Sequence, residues 1–195
     1  MLEGFRRLSE CPVLLGEILD VLYYNYDRID FVDSPVDLGF ECPLDLHCTY
    51  SRDQILAALD FMKPGTVREG TKYLLDKKTD VHFVTLNKAE KDYSPTTMYE
   101  DYSINEVLFH WQSQSTTSQS STTGQRYMNH RSMGVRELLF VREFKSGKLG
   151  AALYTFLGLA DFLSVNGSKP MNITWRLHEP IPAKYLRKTN KLVVG

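Results

Sequence analysis

From Gln112 to Gln125 the chain carries neither a charge nor a large apolar side chain, only Gln, Ser, Thr and one Gly. Such a tract has hydroxyl and amide groups to offer and nothing to bury, so it predicts a surface loop interrupting the core that its neighbours build. Those neighbours are of another kind. Val107 to Trp111 reads as a strand anchoring one end, and Arg126, Tyr127, Met128, Asn129, His130 and Arg131 place cations beside an aromatic at the other. A long polar segment held this way reads as a binding loop, with a Ser/Thr/Gln linker as the plain alternative.

The tract also divides the charge. Residues 1–111 hold 11 Lys+Arg against 20 Asp+Glu, and residues 112–195 hold 12 against 4. A formal net charge of -1 thus conceals an acidic half joined to a basic one. A polyanion partner for the basic half is the expectation, the alternative being two halves that pack together and cancel. With 195 residues, 43% of them hydrophobic, the chain can bury one proper core. The expected division is a helical part over 1–62 and a β-rich nucleic-acid-binding part over 63–195. No apolar run reaches a membrane span and no signal core follows Met1, so a cytoplasmic chain with no membrane partner is expected. Cys11, Cys42 and Cys48 fit no disulfide framework, which agrees with a reducing compartment.

Element signals follow that division. Pro12 in a first turn, then Val13, Leu14, Leu15, Ile18, Leu19 and Leu22 at helical spacing, predict an amphipathic packing helix ending near Tyr23 to Tyr26. Breakers from Asp33 to Pro43 predict a loop. Ser51 with Gln54 three residues on predicts a capping box, Ile55, Leu56 and Leu59 an inner face, and Lys63-Pro64-Gly65 a stop. Beyond Tyr73 come strands: 81–86, 107–111, 137–142, 154–157 and 172–177, short and aromatic or β-branched. Turns are expected at 145–147 and, from an Asn-Gly pair, at 165–168. The fold class predicted is α+β, a helical N-terminal part followed by a curved antiparallel sheet or small open barrel.

Catalytic patterns are incomplete. Gly65 to Lys72 has the wrong order for a phosphate-binding loop, which needs Lys before Ser/Thr between a strand and a helix. Glu143-Phe144-Lys145 has the Glu-x-Lys spacing of metal-dependent nucleases, but Asp80 and Asp101 are only positional partners and strand alternation explains the pair. Cys42, His47 and Cys48 lack a fourth zinc ligand. His110, His130 and His178 lack an orienting acid at recognisable spacing. No catalytic residue, metal or cofactor is assigned. What remains is a binding set: His110, Trp111, Gln112, Ser113, Gln114, Gln125, Arg126, Tyr127, His130, Arg131 and Arg142. In it arginines meet phosphate and base edges, and Trp111 or Tyr127 stacks on a base. Tyr154, Trp175, Arg136 and Arg176 extend the same chemistry, with Trp175 read as core.

Several runs carry a more specific signal: 77–81, 83–88, 93–102, 109–114, 123–127, 139–143, 154–158 and the ending Trp175 to Leu186. Together they resemble a bacterial domain of unknown function, over about Thr49 to Gly195. That family typically forms the C-terminal portion of superfamily II helicases, often beside a phospholipase-D-type nuclease domain. The resemblance implies a DNA-processing or defence setting and a reader of nucleic acid, modified DNA included. The helicase motor and the nuclease are not in this sequence, so their activities do not carry over. A protein-interaction domain docking helicase or nuclease subunits is the alternative.

Overall fold

Ser51 begins a helix as its sequence predicts: its hydroxyl accepts from the Gln54 amide at 3.2 Å while the Gln54 side chain accepts from the Ser51 amide at 2.8 Å. The computed structural model describes residues 2–26, 35–68, 70–87, 101–147, 150–183 and 185–186. Most of the run 93–102 therefore lies outside the described residues. Two compact units divide between Ser34 and Pro35.

The first unit contains α1 (Leu2–Ser9) and α2 (Pro12–Tyr26). Sequence periodicity finds α2 and misses α1. Of the expected inner stripe of α2, Leu15 and Ile18 are half-buried while Val13, Leu14, Leu19 and Leu22 are exposed. Apolar side chains occur all around this helix, so no single stripe defines an inside.

The second unit holds α3 (Arg52–Ala58), a short 3-10 turn (Pro64–Thr66) and α4 (Thr122–Met128). Its strands are β1 (Thr49–Tyr50), β2 (Thr71–Leu74), β3 (Thr79–Asn87), β4 (Tyr102–Ser103), β5 (Leu108–Gln112), β6 (Arg136–Phe144), β7 (Ser146–Gly147), β8 (Gly150–Ala151), β9 (Tyr154–Asn166) and β10 (Asn172–Leu177). Among the described residues eight of these form one open, curved sheet in the order β2-β3-β6-β9-β10-β5-β4, with β1 on β9, and β7 and β8 make a separate ribbon. All sheet pairs are antiparallel except β3 with β6, where Asp80 lies opposite Glu137 and Thr85 opposite Arg142. The expected α+β class, helical first and β-rich after, is the architecture found.

Curvature has a local cause. The β6–β9 register shifts between Leu139 and Phe140, where Gly158 adopts a φ of +88° that other residues avoid, and β10–β9 shifts between Thr174 and Trp175. The Gly158 position also interrupts the apolar pattern, which is why β9 reads as only four residues in sequence. Strand alternation then sends two sets of side chains to opposite faces. On one, Ile55, Leu56 and Leu59 of α3, with Leu38 and Leu44, pack on Val81, Phe83, Leu138, Phe140 and Phe156. On the other, Tyr127 of α4 packs on Phe109, Trp111, Leu139, Ile173 and Trp175. Residues 35–62 thus belong to the β-rich unit, and the boundary expected after residue 62 falls inside it.

Candidate functional site

The polar tract is the first correction. It does not stand off the core: Ser113 is fully buried, Thr117 and Gly124 are buried, and its last residues are α4. Hydrogen bonds replace hydrophobic burial here. The Ser113 hydroxyl accepts from the Met171 amide at 2.9 Å, the Thr117 carbonyl from the Lys169 amide at 3.1 Å, and Gln114 donates to Thr71. Ser121 caps α4 by accepting from the Gly124 amide at 3.1 Å, and a Cβ on Gly124 would collide with the Ser118 carbonyl. Gln112 donates to Asn172 at 2.6 Å, and Gln125 donates to the Gln119 carbonyl at 2.8 Å. These side chains hold the segment together and against β10.

The second correction concerns the aromatic faces. Trp111 and Tyr127 are core residues, 5% and 1% exposed, and Trp175 is fully buried as its sequence reading has it. The Trp111 and Tyr127 rings meet edge to face at 5.5 Å, leaving no face for a base. His110, half-buried on β5, stacks on Tyr102 at 4.8 Å.

The arginines beside the tract are consumed within the protein. Arg126 grips Asp80 with Nε to Oδ2 at 2.5 Å and Nη2 to Oδ1 at 3.0 Å, and its guanidinium lies over the Tyr73 ring at 4.0 Å. Arg131 makes a two-nitrogen bond to Asp161, which also accepts from His178 at 2.8 Å. The Arg131 bond holds the Asp161 carboxyl down at about 2. His130 is buried between backbone groups, its Nδ1 3.1 Å from the Val135 carbonyl oxygen while Nε2 accepts from the Phe162 amide at 3.0 Å. That pattern fixes a neutral tautomer with the proton on Nδ1, and burial lowers its pKa accordingly.

Beneath α4 lies a buried polar cluster that single-sequence reasoning missed. His82 of β3 and Glu137 of β6, both fully buried, are joined at 2.7 Å between Nε2 and Oε2. Burial lowers the His82 pKa to about 3, and burial followed by the neighbouring Asp80 raises that of Glu137 well above its ordinary range. The pair is therefore a neutral imidazole accepting from a protonated carboxyl. Burial also raises Asp80 against the opposing pull of Arg126, whose charge likewise pulls against the rise at Glu137 on the adjacent strand. His82 Nδ1, Glu137 Oε1 and Trp175 Nε1 are buried without a hydrogen-bond partner. Rings of Trp111, Tyr127 and Trp175 surround the imidazole at 4.6 to 5.5 Å.

A different place on this unit offers cations to solvent. Near the end of β6, a cleft of about 410 Å³ is lined by Ser51, Arg52, Asp53, Arg142, Lys145, Ser146 and Tyr154, among others. Arg142 is fixed there: its Nε donates to Thr85 at 3.0 Å, Nη1 to the Ala152 carbonyl at 3.4 Å, and its guanidinium lies over Tyr154 at 4.4 Å. Arg52, the first residue of α3, has an inward Nε without a hydrogen bond and approaches Asp53 only to 3.8 Å. Lys145 follows β6 and is exposed. Among the described residues that line the cleft, three are cations and one is an acid. A second cleft of about 290 Å³ shares Arg142, Ser146 and Ala152 with the first and continues onto Phe144, Leu153 and Tyr185, with Glu143 beside them. Of the expected site residues, the structure brings only Arg142 here. Lys145 joins it from the end of the same strand, and Arg52 joins because β1 pairs with β9 and delivers the start of α3 to this corner, a contact no sequence spacing announces.

The nuclease-like pair Glu143 and Lys145 lacks its positional partners: Asp80 is held by Arg126, and Asp101 accepts from the Gln112 amide at 2.9 Å. Among the described residues, no group of three or more His, Cys, Asp or Glu side chains could hold a metal ion. No helix among them is long and apolar enough to cross a membrane.

Residues 44–188, most of the second unit and the whole of the cleft, match a family described as a domain of unknown function (DUF3427). The chain belongs to this family. No curated protein matches the chain. The family's extent includes Arg52, Arg142 and Lys145, together with the buried His82–Glu137 cluster, and excludes α1 and α2.

Proposed function

We propose that the chain is a non-catalytic nucleic-acid-binding module, with DNA as its expected target, that captures the phosphate backbone in the cleft between α3 and the end of β6. The observation that carries this reading is the set of Arg52, Arg142 and Lys145 around one cleft, with Asp53 the one acid among the described residues that line it. A guanidinium held by Thr85, Ala152 and Tyr154 is already oriented, so little side-chain freedom is lost when an anion docks. Neighbouring hydroxyls of Ser146 and Tyr154 suit phosphate oxygens. The resemblance to helicase-associated domains supports a setting in bacterial DNA processing or defence, where such a module would position a partner enzyme on DNA, modified DNA included.

Anisotropy of labelled DNA tests this directly. Lys145→Glu and Arg52→Glu together should weaken binding at least tenfold at moderate salt, and flatten the dependence of affinity on salt by removing phosphate contacts. Unchanged affinity in the folded double variant would contradict the proposal. A second reading, docking of a helicase or nuclease subunit, is favoured by α2, whose Val13, Leu14, Leu19, Leu22 and Tyr23 are exposed. Deleting residues 1–34, a unit by themselves, separates the two: DNA binding should persist and subunit docking should be lost.

A further inference from the structure

We infer that the paired clefts take a single strand, one phosphate among Arg52, Arg142 and Lys145 and the attached base on Phe144 and Leu153; this rests on the nucleic-acid reading above. The cationic cleft alone would accept any polyanion. Its continuation is different in kind, since beyond the shared Arg142, Ser146 and Ala152 the lining is mainly apolar, with Leu86, Phe144, Leu153 and Leu157 beside Thr49, Thr155 and Tyr185. Phe144 and Leu153 are about half exposed, 51% and 50%, at the end of one strand and beside the start of another. An aromatic ring left half in water next to fixed cations fits a ligand that carries charge and a flat apolar face on one backbone.

Geometry then selects the strand state. In a duplex each base is paired and stacked inward, and phosphates are what the outside presents, so a duplex fills the cationic cleft and leaves the apolar one empty. A single strand can turn a base into the second cleft without the cost of unpairing. Glu143, beside the apolar lining, would repel a second phosphate there and so favours the base in that half.

The test compares a dT oligonucleotide, an abasic oligomer of equal phosphate number and a duplex, each binding to the full chain and to Phe144→Ala and Lys145→Glu variants. Phe144→Ala should weaken dT binding roughly tenfold, within the range of one lost base stack, and leave abasic and duplex affinities unchanged. Lys145→Glu should weaken all three. Wild-type dT affinity in folded Phe144→Ala, with Lys145→Glu still weakening every probe, would overturn the single-strand inference and leave the cleft reading standing. No binding of any probe by the wild-type chain would overturn both. Because Phe144 is half exposed, its truncation should leave the melting temperature nearly unchanged, and circular dichroism of the variant checks that.

Discussion

Arg126 and Arg142 look alike in sequence, each an arginine in the basic half within two residues of an aromatic, yet the two ends of the sheet use them in opposite ways. Under α4, Arg126 closes over the buried Asp80 carboxylate. At the end of β6, Arg142 rests on a hydroxyl, a carbonyl and a ring, none of which carries charge. A guanidinium matched by a carboxylate inside the fold has spent its electrostatic capacity on structure, whereas one held by neutral groups keeps its charge for a ligand. Local sequence composition cannot tell these apart, because the deciding partner of Arg126 lies 46 residues away and that of Arg142 lies 57 away.

The comparison breaks most visibly at Arg126. Arg126→Ala would strand a nearly inaccessible Asp80 carboxylate, at a cost of about 3–5 kcal/mol. Denaturant unfolding measures it, and the folded fraction should bind DNA as wild type. A variant with normal stability and weakened DNA binding would place Arg126 in the site instead. Trp111→Ala should cost a similar amount, about 3–5 kcal/mol, since the ring is packed against Tyr127, Trp175 and His82. A melting temperature within a few degrees of wild type would return that ring to a binding role.

A smaller effect sharpens the account of the buried cluster. With its folded pKa raised, the Glu137 contribution to stability is complete below its ordinary range and declines as pH rises through the folded value. Glu137→Gln keeps a donor toward His82 Nε2 but removes the titration. It should therefore gain stability relative to wild type as pH rises from about 5 to 9, read by melting at several pH values. An equal or growing loss over that range would mean that His82 and Glu137 form an ion pair. His82 works with the opposite slope: its depressed pKa makes protonation of the unfolded chain cost stability as pH falls from the ordinary histidine value toward about 3. The smallest effect is at Arg131, largely exposed. Its removal should let the Asp161 pKa rise from about 2 toward the ordinary value, seen by carboxyl NMR titration, so the stability Asp161 adds above that ordinary value shrinks. A value still near 2 would assign the shift to His178.

Local rules carried the elements well. The Ser51 capping box, the strands 81–86 and 172–177, and the hairpin at Asn166-Gly167 depend on neighbours in sequence, and all appear in place. What required tertiary pairing was hidden. The stretch from Gln112 reads as solvent-exposed because polar residues usually stay in water, yet Ser113 and Thr117 are buried on hydrogen bonds to Met171 and Lys169 in the turn before β10. His82 and Glu137 sit in strands whose parallel pairing spans 55 residues. Of the cleft, Arg142 alone was legible as a binding cation, and Lys145 was visible only as half of a nuclease-like pair.

The division of labour between the two ends is tested most directly by titrating isotope-labelled protein with DNA and mapping amide shift changes. The account predicts changes at 51–53, 142–146 and 151–155, with 113–131 unmoved. Changes concentrated at 113–131, with the end of β6 silent, would contradict it and return the binding role to the polar tract.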